Sequence, residues 1–444
     1  MTDTIYAPAT ASGRAAVAIM RVSGPESARV LESMTGGLPR PRHASVRSLR
    51  GLQGELLDRA LVLWMPGPAS FTGEDSAEFH IHGGSAVLGA VAQALNDHGL
   101  RLAEPGEFSR RAFANGKLDL LQAEAVADLV DAETAAQRRQ ALAQMAGRVG
   151  RRFEVWRVQL IEALALLEAE NDFPDEDLPG TLSARAVKRL STVRQELEAA
   201  LRTGARGRSV REGYRVALIG APNAGKSSLF NRLIGRDAAI VSPRPGTTRD
   251  VVEAPILIAG HAVTLADTAG LRETNDEVEF EGVRRARAWA ERAAVRLVVV
   301  DASAPATAYA DFAQPEDLLV LSKADLTAAP SAQLQRIRPE NRLLTIQSSA
   351  VTPDGVAGVL AWLEARVSRD LDSTEPPLAT RARHEEALRA ATEGIGRAEH
   401  IAVLAPERAV EDVRSAIRAL RSVVGEVDRE SVLDQVFSAF CIGK

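Results

Sequence analysis

The sequence is short of cysteine, of aromatic residues and of long apolar runs. Its 444 residues include one cysteine, Cys441, which excludes an intrachain disulfide and a cysteine-based metal cluster. Aromatics make up 4%, while Ala, Leu, Arg and Glu abound, a bias toward helix. No uncharged apolar stretch approaches the ~20 residues that span a bilayer. The start, Met1-Thr-Asp-Thr-Ile-Tyr6, has neither the basic flank nor the apolar run of a signal peptide, so a cytosolic protein with no membrane contact is expected. A general excess of positive charge is also missing. With 54 basic and 59 acidic residues the net charge is −5, so any nucleic-acid contact must rest on a local basic patch. What remains, 45% apolar and 25% charged residues, is the ordinary globular mixture. At roughly 150 residues per domain the chain holds about three.

Residues 1–117 alternate short β-like runs (16–20, 60–64) with Gly/Pro turns and one helical stretch near 85–98, the texture of a small α+β domain. Residues 118–212 read as long helix. Leu142, Met145, Val149, Phe153, Trp156, Leu160, Leu164 and Leu167 recur at steps of three or four, one apolar stripe over seven turns that serves core or dimer packing. The stripe ends at 168–177, with six carboxylates, and Pro174 and Pro179 act as breakers. Arg202, Arg206, Arg208, Arg211 and Arg215 follow with only Glu212 against them. They solvate a hinge or meet nucleic-acid phosphates, the first reading being preferred. From 213 to 371 apolar strands (215–219, 262–265, 296–300, 318–321) alternate with helices, which predicts a parallel sheet covered on both faces. Residues 372–444, after the Pro-containing segment 372–377, are helical again. A helical region split by an α/β domain reads as an insertion, with its two flanks packing together. The fold class is therefore multidomain: an α+β N-terminal domain, a discontinuous helical domain and an inserted α/β P-loop domain of the Ras-like kind.

Gly220-Ala-Pro-Asn223-Ala224-Gly225-Lys226-Ser227 follows a predicted strand and opens a helix at Ser228, the context a phosphate-binding loop requires. Small residues let backbone N–H groups curl around phosphates, and the helix start adds its positive end. Lys226 neutralises β/γ oxygens and Ser227 can ligate Mg²⁺. Asp267-Thr268-Ala269-Gly270 ends the next apolar strand, where a carboxylate reaches the Mg²⁺ shell and a glycine N–H senses the γ-phosphate. Between them lies Gly246-Thr247-Thr248-Arg-Asp250, a switch segment whose threonine joins Mg²⁺ only with a nucleoside triphosphate bound. Ser322-Lys323-Ala-Asp325 suits guanine, because one carboxylate can accept from N1–H and the 2-amino group together. Ser349-Ala350 fits a loop beside the base. Five such elements in order predict a GTPase. Leu271 stands where many GTPases place a water-orienting glutamine, so another group must do that work. Glu279 is a candidate, against its reading as part of a solvated acidic loop. Asn223 could ligate a monovalent cation beside the phosphates. Cys441 reads either as a nucleophile or as a buried small apolar residue. His80 and His82 have ligand-like spacing without further ligands, so a structural duty is preferred.

Over its whole length the sequence resembles the MnmE (TrmE) family of tRNA modification GTPases. The resemblance is carried by Asp3-Thr-Ile5, Gly13-Arg14, Arg21-Val-Ser-Gly24, Phe71-Thr-Gly-Glu-Asp75, His82-Gly-Gly84, Pro105-Gly-Glu-Phe108, Asn115-Gly-Lys117, Asp172-Phe173, the GTPase motifs and the terminal Phe440-Cys-Ile-Gly-Lys444. It implies a homodimer built on tetrahydrofolate-binding N-terminal domains. It also implies a flavoprotein partner, MnmG (GidA), which carries FAD and joins a heterotetrameric complex. Together the pair would install a carboxymethylaminomethyl group on C5 of the wobble uridine of certain tRNAs, with methylenetetrahydrofolate as one-carbon donor. By motif, Asn223, Ser242, Arg244 and Thr247 would surround K⁺, Ser227 and Thr248 would bind Mg²⁺, and Glu279 would be the general base. Ser242, Pro243, Arg244, Pro245 and Gly246 join the nucleotide-binding set, and Arg21, Glu78, Lys117 and Lys444 would line the folate site. One departure stands out: Ser322 replaces the family's usual Asn, whose amide tethers neighbouring loops, an expected loss of ~1 kcal/mol for one hydrogen bond. Two rival readings are a GTP-switched RNA-binding ribosome-assembly factor, which would carry a basic KH-like domain after its GTPase domain, and a folate-dependent one-carbon transferase with an appended GTPase.

Overall fold

A computed structural model describes residues 3–11, 13–172, 182–237, 252–267, 289–303, 313–326, 343–373, 375–425, 430–438 and 440–443. The chain divides into two compact units, one of Met1–Val130, Leu142–Arg194 and Ala390–Lys444, the other of Asp131–Ala141 and Gln195–Arg389. No helix among the described residues is long and apolar enough to cross a membrane.

The first unit opens with β1 (Ile5–Pro8), β2 (Ala15–Ser23), α1 (Ser27–Thr35), β3 (Ser45–Arg50), β4 (Leu56–Met65), β5 (Ser76–Gly83), α2 (Ser85–Asp97) and β6 (Arg101–Leu102). The sheet order is β3-β4-β5-β2-β1-β6, antiparallel except where β6 pairs parallel with β1. Alternation decides its two faces. Ala18, Met20 and Val22 of β2, Val62 and Trp64 of β4, and Phe79 and Ile81 of β5 form one core with Val30, Leu31 and Met34 of α1 and Val91 and Leu95 of α2. Arg21 and Glu78 alternate with these core residues on their strands and are register partners across β2 and β5.

Helices α3 (Glu107–Ala114), α4 (Leu120–Val130), α5 (Ala135–Met145), α6 (Arg148–Asp172) and α7 (Leu182–Glu212) follow. The continuous seven-turn stripe is not formed. Gly147 takes a left-handed backbone, φ 70°, between α5 and α6, and the break resets the helical phase. Val149, Phe153, Trp156, Leu160 and Leu167 are buried along α6, whereas Leu142 is 42% exposed. The Gln122 side chain satisfies the end of α5 by donating to Met145 O at 3.1 Å. The two flanks do pack together. The helix Pro406–Val424 lies on α6, with Arg414 bonded to Glu168 at 2.7 Å and Arg194 to Glu399 at 2.9 Å. In the helix Glu430–Ser438, Phe437 joins Phe440, Leu120 and Ala123 in one cluster.

The second unit holds the parallel sheet: β7 (Tyr214–Ile219), α8 (Lys226–Asp237), β8 (Val252–Ile258), β9 (His261–Asp267), β10 (Val295–Asp301), β11 (Leu318–Ser322), β12 (Leu344–Gln347) and α9 (Ala357–Leu371). The order is β12-β11-β10-β7-β9-β8. β8 departs from the parallel expectation, running antiparallel to β9. Its Pro255 is tolerated because β8 is an edge, where a missing N–H costs no ladder bond. One core cluster joins Val216, Leu218, Val299 and Val320 to α8 and α9, and a second joins Ala217, Ile219, Val298 and Leu321 to Ala290. Burial on both faces is why these strands carry near-continuous apolar sequence.

Candidate functional site

The phosphate-type loop leaves the carboxyl end of β7. At Gly220 an added Cβ would stand 2.2 Å from Val299 O on β10, so only glycine lets the two backbones approach so closely. Asn223 and Gly225 take left-handed φ values of 62° and 93°, which turn the loop back onto the first residue of α8. Lys226, buried at the start of α8, donates to Gly220 O at 2.8 Å and Ala221 O at 2.7 Å. Burial lowers its pKa, and the Asp267 carboxylate partly offsets that shift. Asp267 is itself buried at the end of β9, in register with Leu218. Asn223, Ser227 and Ser228 are exposed around this loop and Ala224 is buried within it.

The neighbouring strand end brings the base-type residues alongside. The Ser322 hydroxyl donates to Ala224 O at 2.5 Å, with Val300 O at 3.2 Å. The tether expected to be lost with the family's asparagine is thus made by the hydroxyl. Lys323, left-handed at φ 55°, reaches Asp301 at 2.5 Å. Burial alone raises the Asp301 carboxyl, but the Lys323 ammonium and the Ser303 donors hold it down to about 2. Asp325 accepts from the Ser349 hydroxyl at 2.6 Å, which joins the guanine-type carboxylate to the loop carrying Ala350. Lys226, Asp267, Ser322, Lys323, Asp325 and Ser349 therefore all stand at or just beyond the carboxyl ends of β7, β9, β11 and β12, where open α/β sheets bind ligands. Ser242, Pro243, Arg244, Pro245, Gly246, Thr247, Thr248, Thr268, Ala269, Gly270, Leu271 and Glu279 lie outside the described residues.

A second cluster belongs to the N-terminal sheet. Arg21 pairs with Glu78 at 3.0 Å and lies 5.8 Å from the ring centroids of both Phe71 and Phe108. Lys117 is exposed and lies beside Gly73, whose added Cβ would be 3.3 Å from Lys117 Cγ. It thus flanks the 71–75 loop that brings Phe71 to Arg21. Lys444 lies outside the described residues, but Gly443 backs onto β1, where an added Cβ would meet Pro8 O at 2.1 Å. The C-terminus therefore folds onto the N-terminal sheet. Cys441 is exposed, which overturns the buried reading of that residue. His80 bonds Glu78 at 3.3 Å and His82 bonds Asp58 at 2.7 Å. No group of three potential ligands that could hold a metal exists among the described residues.

Sequence reasoning missed Arg111. It is fully buried and bonds Asp3, Glu74 and Glu107 at 2.9–3.1 Å. Only its place beside the Pro105-Gly-Glu-Phe108 motif hinted at such a role. The arginines of 202–215 are more engaged than their sequence neighbours suggested. Arg208 pairs with Glu385 at 3.1 Å, and Arg206 and Arg211 donate to the carbonyls of Glu375 and Thr380.

Two family models match the chain: one described as the N-terminus of the GTP-binding protein TrmE over residues 4–117, the other as the MnmE helical domain over 120–441. Among curated proteins, the tRNA modification GTPases MnmE of Phenylobacterium zucineum and Caulobacter vibrioides are 54% and 53% identical, and that of Parvibaculum lavamentivorans 49%, each with 100% of both chains covered. Among solved structures, the G domain of the T. maritima FeoB iron transporter covers 35% of this chain and 98% of its own at 21% identity, with a TM-score of 0.24, too low to bear on the fold. Matched along its whole length by such relatives, the chain belongs to the MnmE family of tRNA modification GTPases.

Proposed function

We propose that the chain is a K⁺-activated, Mg²⁺-dependent GTPase of the cytosol. It works as a homodimer with the flavoprotein MnmG (GidA), which carries FAD. The complex installs the carboxymethylaminomethyl group on C5 of the wobble uridine of certain tRNAs, using methylenetetrahydrofolate. The observation that supports this most is the meeting of Lys226, Asp267, Ser322, Asp325 and Ser349 at the carboxyl edge of one sheet. The domains are 1–117 for folate binding and dimerisation, 118–212 and 372–444 for the two helical parts, and 213–371 for GTP. The region after α9 is built of the helices Ala382–Ile401, Pro406–Val424 and Glu430–Ser438 and falls within the match to the MnmE helical domain, which favours this reading over the ribosome-assembly one.

In this reading Gly220 to Ser227 wrap the phosphates and Asp325 accepts from the guanine N1–H and 2-amino group. The donor set for Mg²⁺ is hard oxygen: Ser227 and Thr248, with Asp267 buried close by. A Mg²⁺ held there would supply positive charge against the phosphate oxygens. Asn223, Ser242, Arg244 and Thr247 would hold K⁺, and Glu279 would take the proton of the attacking water. In the N-terminal domain Arg21 and Glu78 face each other, so they serve one end of the folate together. The cation for its glutamate tail falls to Lys117 and Lys444.

Wild-type turnover in K⁺ and in Na⁺ of equal ionic strength tests the GTPase. The rate should be at least several-fold higher in K⁺, Asn223→Ala should lose that difference, and equal rates in the wild type would refute cation activation. Mass spectrometry of wobble uridines in a deletion strain tests the modification. The gene should restore the modified base and its Lys226→Ala variant should not.

A further inference from the structure

The β3 edge of the N-terminal sheet carries a concentration of exposed positive charge. Residues 38–59 hold five arginines, Arg40, Arg42, Arg47, Arg50 and Arg59, against Glu55 and Asp58, in a chain whose net charge is −5. All five are exposed. Arginines elsewhere are commonly neutralised, as Arg101 is by Asp3 and Glu107, Arg189 by Glu162 and Arg397 by Asp412. The five on this edge form no ion pair among the described residues. Arg42, Arg47 and Arg50 donate only to the backbone carbonyls of Ala69, Val46 and Gly54. Of the two nearby carboxylates, Asp58 is already held by the N–H and imidazole of His82.

The arginines gather along one sheet edge, Arg42 in the turn before β3 and Arg47 and Arg50 on the strand. β3 is the outermost strand of its sheet, and the row begins where Arg42 N–H bonds Trp64 O at 2.7 Å and ends where Arg50 stands opposite Leu56. The six residues of β3 cover about 20 Å and Arg42 precedes them in a turn, enough to meet several phosphates of one backbone. A guanidinium offers a fork that matches phosphate oxygens, and it stays charged at any working pH. No Phe, Tyr or Trp occurs between 38 and 59, so the edge is poor in platforms for stacking unpaired bases. The surface suits a backbone and ignores sequence.

We propose that the β3 edge is a docking surface for the sugar–phosphate backbone of a folded RNA, holding the substrate tRNA without reading its bases. This rests on the reading that the chain acts on tRNA. The test uses the full-length protein and a fluorescently labelled tRNA transcript, with the dissociation constant measured by anisotropy across a series of KCl concentrations. Arg42→Gln/Arg47→Gln/Arg50→Gln should weaken binding about 10-fold or more at moderate salt and lower the slope of log K against log salt by about two to three. The charge-conserving Arg42→Lys/Arg47→Lys/Arg50→Lys should keep most of the slope. A control that removes equal charge from paired, exposed arginines, Arg397→Gln/Arg414→Gln/Arg418→Gln, should stay within about twofold of wild type, because those guanidiniums are already neutralised. GTP turnover and circular dichroism should be unchanged in all three. Wild-type binding with no change in the glutamine variant would overturn the docking surface and leave the tRNA reading intact. A control variant that weakens binding equally would also overturn it. So would loss of binding to phosphatidylglycerol vesicles with tRNA affinity preserved, since the partner would then be a lipid surface. A wild type that neither binds nor modifies tRNA would remove both the docking surface and the reading beneath it.

Discussion

Ser322 joins three segments with one hydroxyl: its own strand β11, the end of β10 at Val300 O, and the phosphate-type loop at Ala224 O. Removing that hydroxyl cuts the link between the end of β11 and the loop between β7 and α8 without opening a large cavity. Ser322→Ala should cost about 1 kcal/mol, roughly a fivefold loss in affinity. The loss should be equal for GTP and GDP, because the γ-phosphate takes no part in the link. Titration with fluorescent analogues of both nucleotides measures it, and a loss confined to GTP would place the effect elsewhere. Asp301 supplies a pH test at the same scale. Its carboxyl sits at about 2, below the ordinary 3.8, so an unfolded chain takes up this proton first as pH falls. The stabilisation from the Lys323 pair is present above about pH 4 and is lost as pH falls toward 2. Thermal melts over that range should show a shallower decline for Asp301→Asn than for wild type.

Among the elements, the loop between β7 and α8 is the one whose conformation depends most on a single small residue. Gly220 has Val299 O where a side chain would begin. Gly220→Ala must therefore push the loop away from β10 and break the two carbonyl contacts that hold Lys226. Calorimetry should show GTP affinity reduced more than 10-fold. Urea unfolding of the first unit, which shares no strand with this sheet, should be unchanged. Local chemistry explains why this loop could be read in advance: left-handed turns and a helix start are built from adjacent residues. The apolar stripe of 142–167 failed as one helix for a related reason. A periodicity count carries apolar phase across Gly147, but the backbone does not, because a left-handed residue redirects the axis. β8 was missed because Pro255 reads as a breaker unless the strand is known to be an edge.

For the molecule as a whole, the C-terminal tail ties chain ends that lie more than 400 residues apart in sequence. Phe440 joins Leu120, Ala123 and Phe437, and Gly443 presses on Pro8. Deleting residues 440–444 should remove about 2–4 kcal/mol from the first unit and, with it, binding of 5-formyltetrahydrofolate. GTP hydrolysis should persist, because the cores of the parallel sheet lie within the other unit. Denaturation monitored by circular dichroism, folate calorimetry and a GTPase assay on one truncated protein separate these outcomes. Intact folate binding would show that the tail only covers the domain.

Read alone, the chain marks an α+β region, a split helical region, a P-loop-type α/β region and the Gly220–Ser227 turn. These follow from composition, periodicity and contiguous motifs, whose physics is local. Only the tertiary structure decided which charges neutralise each other. Arg21 meets Glu78 because β2 and β5 pair in one register and no other. Asp3, Glu74 and Glu107 converge on Arg111 from three separate segments, whereas the arginines of the β3 edge are left without carboxylates. Pairing between distant residues depends on strand register and packing, which no stretch of neighbouring residues encodes alone.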